Sequence, residues 1–129
     1  MKVRSAQEAE RNAKKLANLL CLIRENIVFV EGQKDRSALG QLGCTRVMTI
    51  SGNLRNTCKK IEGKADKVIV LTDIDRRGNE LAGNAASELE RYSISADIES
   101  RKEIAGILKL RFFEDAYRKY NEFMEENER

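Results

Sequence analysis

Two short, wholly apolar runs fix what this chain can fold into: Ile27-Val28-Phe29-Val30, which stops at Glu31-Gly32-Gln33-Lys34-Asp35, and Val68-Ile69-Val70-Leu71, which stops at Thr72-Asp73-Ile74-Asp75. Runs rich in β-branched residues and lacking polar alternation suit strands covered on both faces, as in a parallel sheet layered between helices. A further strand is expected from Arg46 to Ile50. Between the strands the apolar residues change to helical spacing.

Ser5 with Glu8 has the pattern of a capping box, and Ala9, Ala13, Leu16, Leu20 and Ile23 follow on one helical face to about Glu25. Asp35 is placed to cap a short helix carrying Ala38, Leu39 and Leu42, closed by Gly43. Ser51-Gly52-Asn53 turns the chain into a helix with Leu54, Cys58 and Ile61 inward, and Gly63 follows it. The third strand is expected over Lys67 to Thr72, then a helix from about Asn79 to Tyr92 with Leu81, Ala82, Ala85, Ala86 and Leu89 inward. Ile94, Ala96 and Ile98 alternate with Ser95 and Asp97, the pattern of a half-exposed fourth strand. Two more helical segments follow, one with Ile104, Ile107 and Leu108 and one with Phe113, Ala116, Tyr117, Tyr120 and Met124.

Strands alternating with helices imply parallel pairing through crossovers, so the expected class is α/β: a Rossmann-like, mainly parallel sheet of about four strands flanked by helices. The chain is expected to form one globular unit. Residues 1–26 supply an extra amphipathic helix packed on the domain, and 27–129 supply the sheet and the C-terminal helices. With no long apolar tract and no signal-like start, a cytoplasmic protein is expected.

Composition narrows the chemistry. There is no histidine, which removes serine-histidine and cysteine-histidine mechanisms and leaves carboxylates and lysine to move protons. The three cysteines, Cys21, Cys44 and Cys58, lie far apart and suggest neither a disulfide framework nor a zinc site. The net charge of +3 is too small to argue for a polyanionic partner by itself. Its distribution is more informative, because Arg36, Arg46, Arg55, Lys59, Lys60, Lys64, Lys67 and Arg76 all lie between Lys34 and Arg77 and surround the acids.

Carboxylates at the carboxyl ends of parallel strands converge on one crevice, where a hard cation binds through oxygen and holds phosphate. Glu31, Asp73 and Asp75 are therefore candidate ligands for Mg2+, with Mn2+ as a substitute, and Asp35 is a supporting acid. In an extended segment Asp73 and Asp75 would point the same way. Acids within about 4–6 Å of one another push one of their number toward its protonated form, and Glu31 is the acid expected to change protonation. Glu31 is the candidate general acid or base and Lys34 a second candidate catalytic residue; Lys34, Arg76 and Arg77 would offset charge on a phosphate. Gly32, Gly52 and Asn53, with Arg76 and Arg77, are candidate phosphate or nucleic-acid contacts. The same residues also have a plain structural reading, with Asp35 and Asp75 as helix caps and Gly32 and Gly52 as turn glycines.

Glu31-Gly32 with Asp35, Ser51-Gly52-Asn53, and Asp73-x-Asp75 with Gly78 together resemble the signature of the Toprim domain, shared by topoisomerases, bacterial-type primases and several nucleases. The resemblance runs from about Ile27 to Ile98 and is similar within that family to the 5S ribosomal RNA maturation nucleases and to small stand-alone archaeal Toprim proteins. It implies that Glu31 acts as general acid or base and that Asp73 and Asp75 hold magnesium. Ile74 and Asn79 depart from the proline and glutamate often found in the nuclease version. Expected partners are nucleic acid, RNA slightly before DNA, and a protein of a processing complex, with the chain a monomer or homodimer. Two functions stay open: a magnesium-dependent nuclease or phosphotransferase, and a nucleic-acid-binding accessory subunit. Phosphatases with an aspartate nucleophile fit less well, because their acidic pair follows the first strand, where this chain has Glu31.

Overall fold

Each apolar run expected to be a strand is one, and each helical pattern between them is a helix. The computed structural model describes residues 5–128; residues 1–4 of the expected N-terminal segment and residue 129 lie outside the described residues. The order is α1 (Ala6–Glu25), β1 (Ile27–Val30), α2 (Gln33–Gln41), β2 (Val47–Thr49), α3 (Leu54–Ile61), β3 (Lys67–Val70), α4 (Arg76–Arg91), β4 (Ser95–Asp97), α5 (Glu99–Leu108), a 3-10 turn (Phe113–Asp115) and α6 (Ala116–Glu128). The four strands form one sheet in the order β2-β1-β3-β4. Every pairing is parallel, with Val28 opposite both Val47 and Ile69, and Val68 opposite Ala96.

Strand side chains alternate between two cores, as a period of two demands. Val28, Val30, Ile69 and Leu71 pack with Leu16, Leu20 and Ile23 of α1, Leu39 of α2, Ile104 and Leu108 of α5 and Phe123 of α6. Ile27, Phe29, Val68 and Val70 pack on the other face with Cys58 and Ile61 of α3 and Ala82, Ala85 and Leu89 of α4. The sheet is thus covered on both sides, which is why β1 carries no polar residue. α1 starts at Ser5, whose hydroxyl accepts from the Glu8 N–H at 3.1 Å, and it joins the first core directly.

Several boundaries differ from expectation for identifiable reasons. Gly32, not Asp35, is the N-cap of α2; Asp35 sits in the first turn and reaches back, its Oδ2 accepting from the Gly32 N–H at 3.0 Å. α4 begins at Arg76 rather than Asn79, because Asp75 caps it by accepting from the Gly78 N–H. β3 ends at Val70 rather than Thr72, so Asp73 and Asp75 stand in a loop and not in an extended strand. In α6 the inward stripe is Ala116 and Phe123 with Tyr120 beside it, whereas Tyr117 and Met124 lie at the surface.

Because Leu20 is buried in the core that α1 shares with the sheet, Leu20→Ala should lower the unfolding free energy by about 2–5 kcal/mol. Urea denaturation measures it, and a loss below about 1 kcal/mol would show that α1 does not share the cooperative core.

Candidate functional site

The chain leaves β1 through α2 toward β2 and leaves β3 through α4 toward β4, and those two helices lie on opposite faces of the sheet. Between neighbouring β1 and β3 the strand order therefore reverses, the point at which a sheet of this kind places a crevice at the carboxyl ends of its strands. Glu31 follows β1 at this edge, and Asp73 and Asp75 follow β3. The sequence places the acids at the strand ends, and the topology brings those ends together.

Direct hydrogen bonds join the two loops. Glu31 Oε2 accepts from the Asp73 backbone N–H at 2.7 Å across 42 positions of sequence. Asp73 Oδ1 accepts from the Phe113 N–H at 2.9 Å, and the Ile74 N–H donates to the Arg111 carbonyl at 2.7 Å, so the segment before α6 clamps the loop. Asp75 Oδ1 accepts from the Gly78 N–H at 2.7 Å. Thr72 Oγ1 donates to the Gly78 carbonyl at 2.7 Å. Gly78 is required here by close approach, since a Cβ at that position would lie 1.8 Å from the Asp73 carbonyl oxygen.

The acids share one electrostatic environment. Burial, then the charges of Asp35, Glu31 and Asp75, raise the Asp73 carboxyl from the ordinary 3.8 to about 6, against the lowering effect of the Phe113 N–H. Asp35, buried at 7% exposure, is also raised, first by burial and then by Glu31 and Glu114, while the Gly32 N–H opposes the shift. The charges of neighbouring acids thus add to burial in raising both Asp73 and Asp35.

The donor chemistry fits a divalent metal ion. Glu31, Asp73 and Asp75 each commit one oxygen to a backbone N–H. Among the described residues the only buried side-chain oxygen or nitrogen without a partner is Glu88 Oε1, so the second oxygens of the three acids are open to solvent or a ligand. Among those residues, too, no three histidine, cysteine, aspartate or glutamate side chains stand as a ready-made ligand group. A magnesium site does not demand one, because that ion takes one or two carboxylates and completes its shell with water and phosphate oxygens.

The other expected site residues are distributed around this centre. Gly32 is half-buried and its N–H is held by Asp35. Lys34 is exposed on the first turn of α2 and lines an open polar recess with Glu114 and Asp115. Gly52 is exposed with φ +81°, the left-handed turn conformation, beside Ser51, whose N–H donates to the Glu31 carbonyl at 3.2 Å. Asn53 is the N-cap of α3, and its amide nitrogen, in the orientation that satisfies its neighbours, donates to the carbonyls of Thr49 at 3.1 Å and Ile50 at 3.2 Å. Its amide therefore serves the corner after β2. Arg76 and Arg77 are exposed on the first turn of α4, with Arg76 3.6 Å from Glu80. The charge of Asp75 and Glu80 offsets the cost of cations at that helix end.

One residue of the site was not anticipated. Arg101, on the first turn of α5, is 3% exposed and donates from Nε to the Thr72 carbonyl at 2.7 Å and from Nη2 to the Asp73 carbonyl at 2.6 Å. Glu99-Ser100-Arg101-Lys102 resembles a solvated helix start, yet Arg101 precedes Ile104, Ala105 and Leu108 by three, four and seven positions. That periodicity puts a cation on the buried face, which was the available signal.

A family model described as the Toprim domain matches residues 26–111, which cover the sheet, the acidic crevice and Arg101. The chain belongs to the Toprim domain family. Toprim domains in general bind divalent metal ions and interact with nucleic acid. The chain is also 35% identical to a UPF0292 protein of Pyrococcus horikoshii over 99 residues, covering 74% of this chain and 75% of that one. UPF0292 proteins of Thermococcus onnurineus (34% identity, 84% and 86% covered) and Thermococcus sibiricus (32%, 87% and 93%) are similar over more of their length. A solved protein of Aquifex aeolicus shares the fold, with a TM-score of 0.69, 23% identity, and 78% of this chain and 96% of that chain covered. Among the described residues no helix is long and apolar enough to cross a membrane.

Two outcomes follow from this Toprim site. Gly78→Ala should destabilise the fold by about 1–3 kcal/mol or more, since the Asp73 backbone cannot move without breaking its bonds to Glu31 and Arg101; thermal unfolding reads it. The second concerns pH. With its folded carboxyl raised from 3.8 to about 6, Asp73 binds its proton more tightly in the fold than in the unfolded chain. Its contribution is fully present below about pH 4 and is lost as pH rises through about 6. Asp73→Asn keeps an acceptor for the Phe113 N–H and removes the charge, so the variant should gain stability relative to wild type between pH 4 and 7. Parallel melts across that range would show a constant difference if Asp73 did not titrate there.

Proposed function

We propose that this Toprim domain is a magnesium-dependent nuclease acting on RNA or DNA, in which Asp73 and Asp75 hold the ion and Glu31 is the general acid or base. One observation carries the reading. The Glu31 carboxylate is bonded to the Asp73 backbone at 2.7 Å, so the candidate proton-transfer group is anchored to the loop bearing the candidate ligands. With no histidine in the chain, carboxylates and lysine are the groups left for that task, and Glu31 is the one bonded to the acidic loop.

When bound, the ion supplies Lewis-acid polarisation of a phosphoryl oxygen. The chain's own residues do the rest. Glu31 Oε1, free of the bond that anchors Oε2, takes a proton from an attacking water or gives one to the leaving oxygen. Arg76 and Arg77, exposed at the start of α4, offset charge on the phosphodiester, and Lys34 does so from the start of α2. Gly52 leaves the backbone after β2 open to a phosphate. Mn2+ should replace Mg2+, because both are hard cations served by oxygen ligands. RNA is favoured slightly over DNA by the maturase-like spacing of the motif, and we place the activity in the cytoplasm, with the chain acting as a monomer or homodimer.

An accessory role in a larger processing complex is favoured by a different observation: among the described residues no three side chains are grouped as a finished ligand set. A partner or the nucleic acid itself would then complete the site.

Labelled single-stranded, double-stranded and hairpin RNA and DNA, incubated with Mg2+ or Mn2+, distinguish the two. Cleavage that falls by roughly 10²-fold or more in Glu31→Gln and disappears with a chelator supports the nuclease. Metal-dependent binding without turnover supports the accessory role, and cleavage unchanged in Glu31→Gln and Asp73→Asn would remove both acids from the chemistry.

A further inference from the structure

Arg101 has no part in the reading above, and its geometry calls for one. A guanidinium 3% exposed cannot reach a bound phosphodiester in solvent, and a buried cation is tolerated only when it is fully paired. Its partners are all in the acidic loop or just beyond it: Nε donates to the Thr72 carbonyl, and Nη2 to the Asp73 carbonyl and to Asn79 Oδ1. The acids that its charge acts on are Asp75, Glu31 and Asp73. α5 is fixed beneath the loop by Asp97 at the end of β4, whose Oδ1 accepts from the N–H groups of Glu99 and Ser100 and whose Oδ2 accepts from the Ser100 hydroxyl at 2.6 Å. Asn79, where the nuclease-type motif often has glutamate, keeps an acceptor for Arg101.

We propose that Arg101 is the positioning residue of the acidic crevice: its planar fork holds the Thr72 and Asp73 carbonyls and the Asn79 side chain so that the Asp73 and Asp75 carboxylates stand ready for a divalent ion. The inference rests on the metal-binding reading of those aspartates. Arginine suits the role and lysine does not, because donation from both Nε and Nη2 to separate acceptors uses the fixed donor directions of a guanidinium, which a single ammonium does not have. The sign of the effect separates positioning from plain charge. Removing a cation from beside carboxylates should, by Coulomb's law alone, tighten their hold on a metal ion. Removing a group that organises them should weaken it, as loss of outer-shell partners does.

The test is direct Mn2+ binding, by electron paramagnetic resonance or calorimetry, to wild type, Arg101→Lys, Arg101→Met and Asn79→Ala, well below each protein's own unfolding temperature. The expected loss of affinity is roughly 10–100-fold for Arg101→Met and smaller for Arg101→Lys. Asn79→Ala, at an exposed position, should lose a few-fold and remain folded, so it and Arg101→Lys decide the matter if Arg101→Met does not fold. Unchanged or tighter binding in folded variants would overturn the positioning role while leaving the metal site standing. A wild-type protein that binds no Mn2+ would overturn the metal reading itself, and this inference with it.

Discussion

Four carboxylates, Glu31, Asp35, Asp73 and Asp75, are brought to the edge where β1 and β3 release the chain, and holding them there with backbone donors is the constraint on which the rest of the crevice depends. Each is offset locally by a backbone N–H: that of Asp73 for Glu31, Gly32 for Asp35, Phe113 for Asp73 and Gly78 for Asp75. Hydrogen bonds to ionised groups are stronger than neutral ones, so these contacts also set the paths of the loops. Arg101 adds a full positive charge buried beneath the loop, the one buried cation among the described residues.

The consequences reach well beyond the four acids. Because Asp73 must meet the Phe113 N–H, the segment between α5 and α6 is drawn over the crevice, where Phe113 is completely buried and the 3-10 turn packs on α2. Because the Asp73 carbonyl must meet Arg101, the loop folds back tightly enough that position 78 has no room for a Cβ. The Toprim glycine at this place is therefore a packing requirement, not a hinge. Helix α5 and the 3-10 turn belong to the site through these contacts even though they carry none of the motif's acids.

This arrangement also explains how the plain and functional readings of the same residues coexist. Asp75 is a helix cap and Asp35 a first-turn acid bonded to the N-cap, as a structural reading would have them. Capping uses one carboxylate oxygen and leaves the other, so a cap at the mouth of a switch-point crevice remains available to a ligand. Asp73 is the acid whose environment departs most from an ordinary surface carboxylate, through burial and three acidic neighbours.

Much of this was legible along the chain, because strand and helix periodicity, capping residues and strand-end acids are local properties. The apolar runs at Ile27 and Val68, the turn glycines Gly43 and Gly63, and the acids Glu31, Asp73 and Asp75 just after their strands each lie within windows of a few residues. The boundaries that moved did so where a side chain reached a nearby backbone group, as Asp75 does to Gly78 and Asp35 to Gly32. What only the tertiary structure decided is which distant groups meet: Arg101 comes to the Asp73 carbonyl across 28 positions and Phe113 to the Asp73 carboxylate across 40. No local pattern encodes those contacts, since they exist only once both faces of the sheet are covered and α5 and α6 are seated against it. The sequence by itself determined the acids and the strands that carry them; packing determined the cation and the backbone donors that let those acids share one crevice.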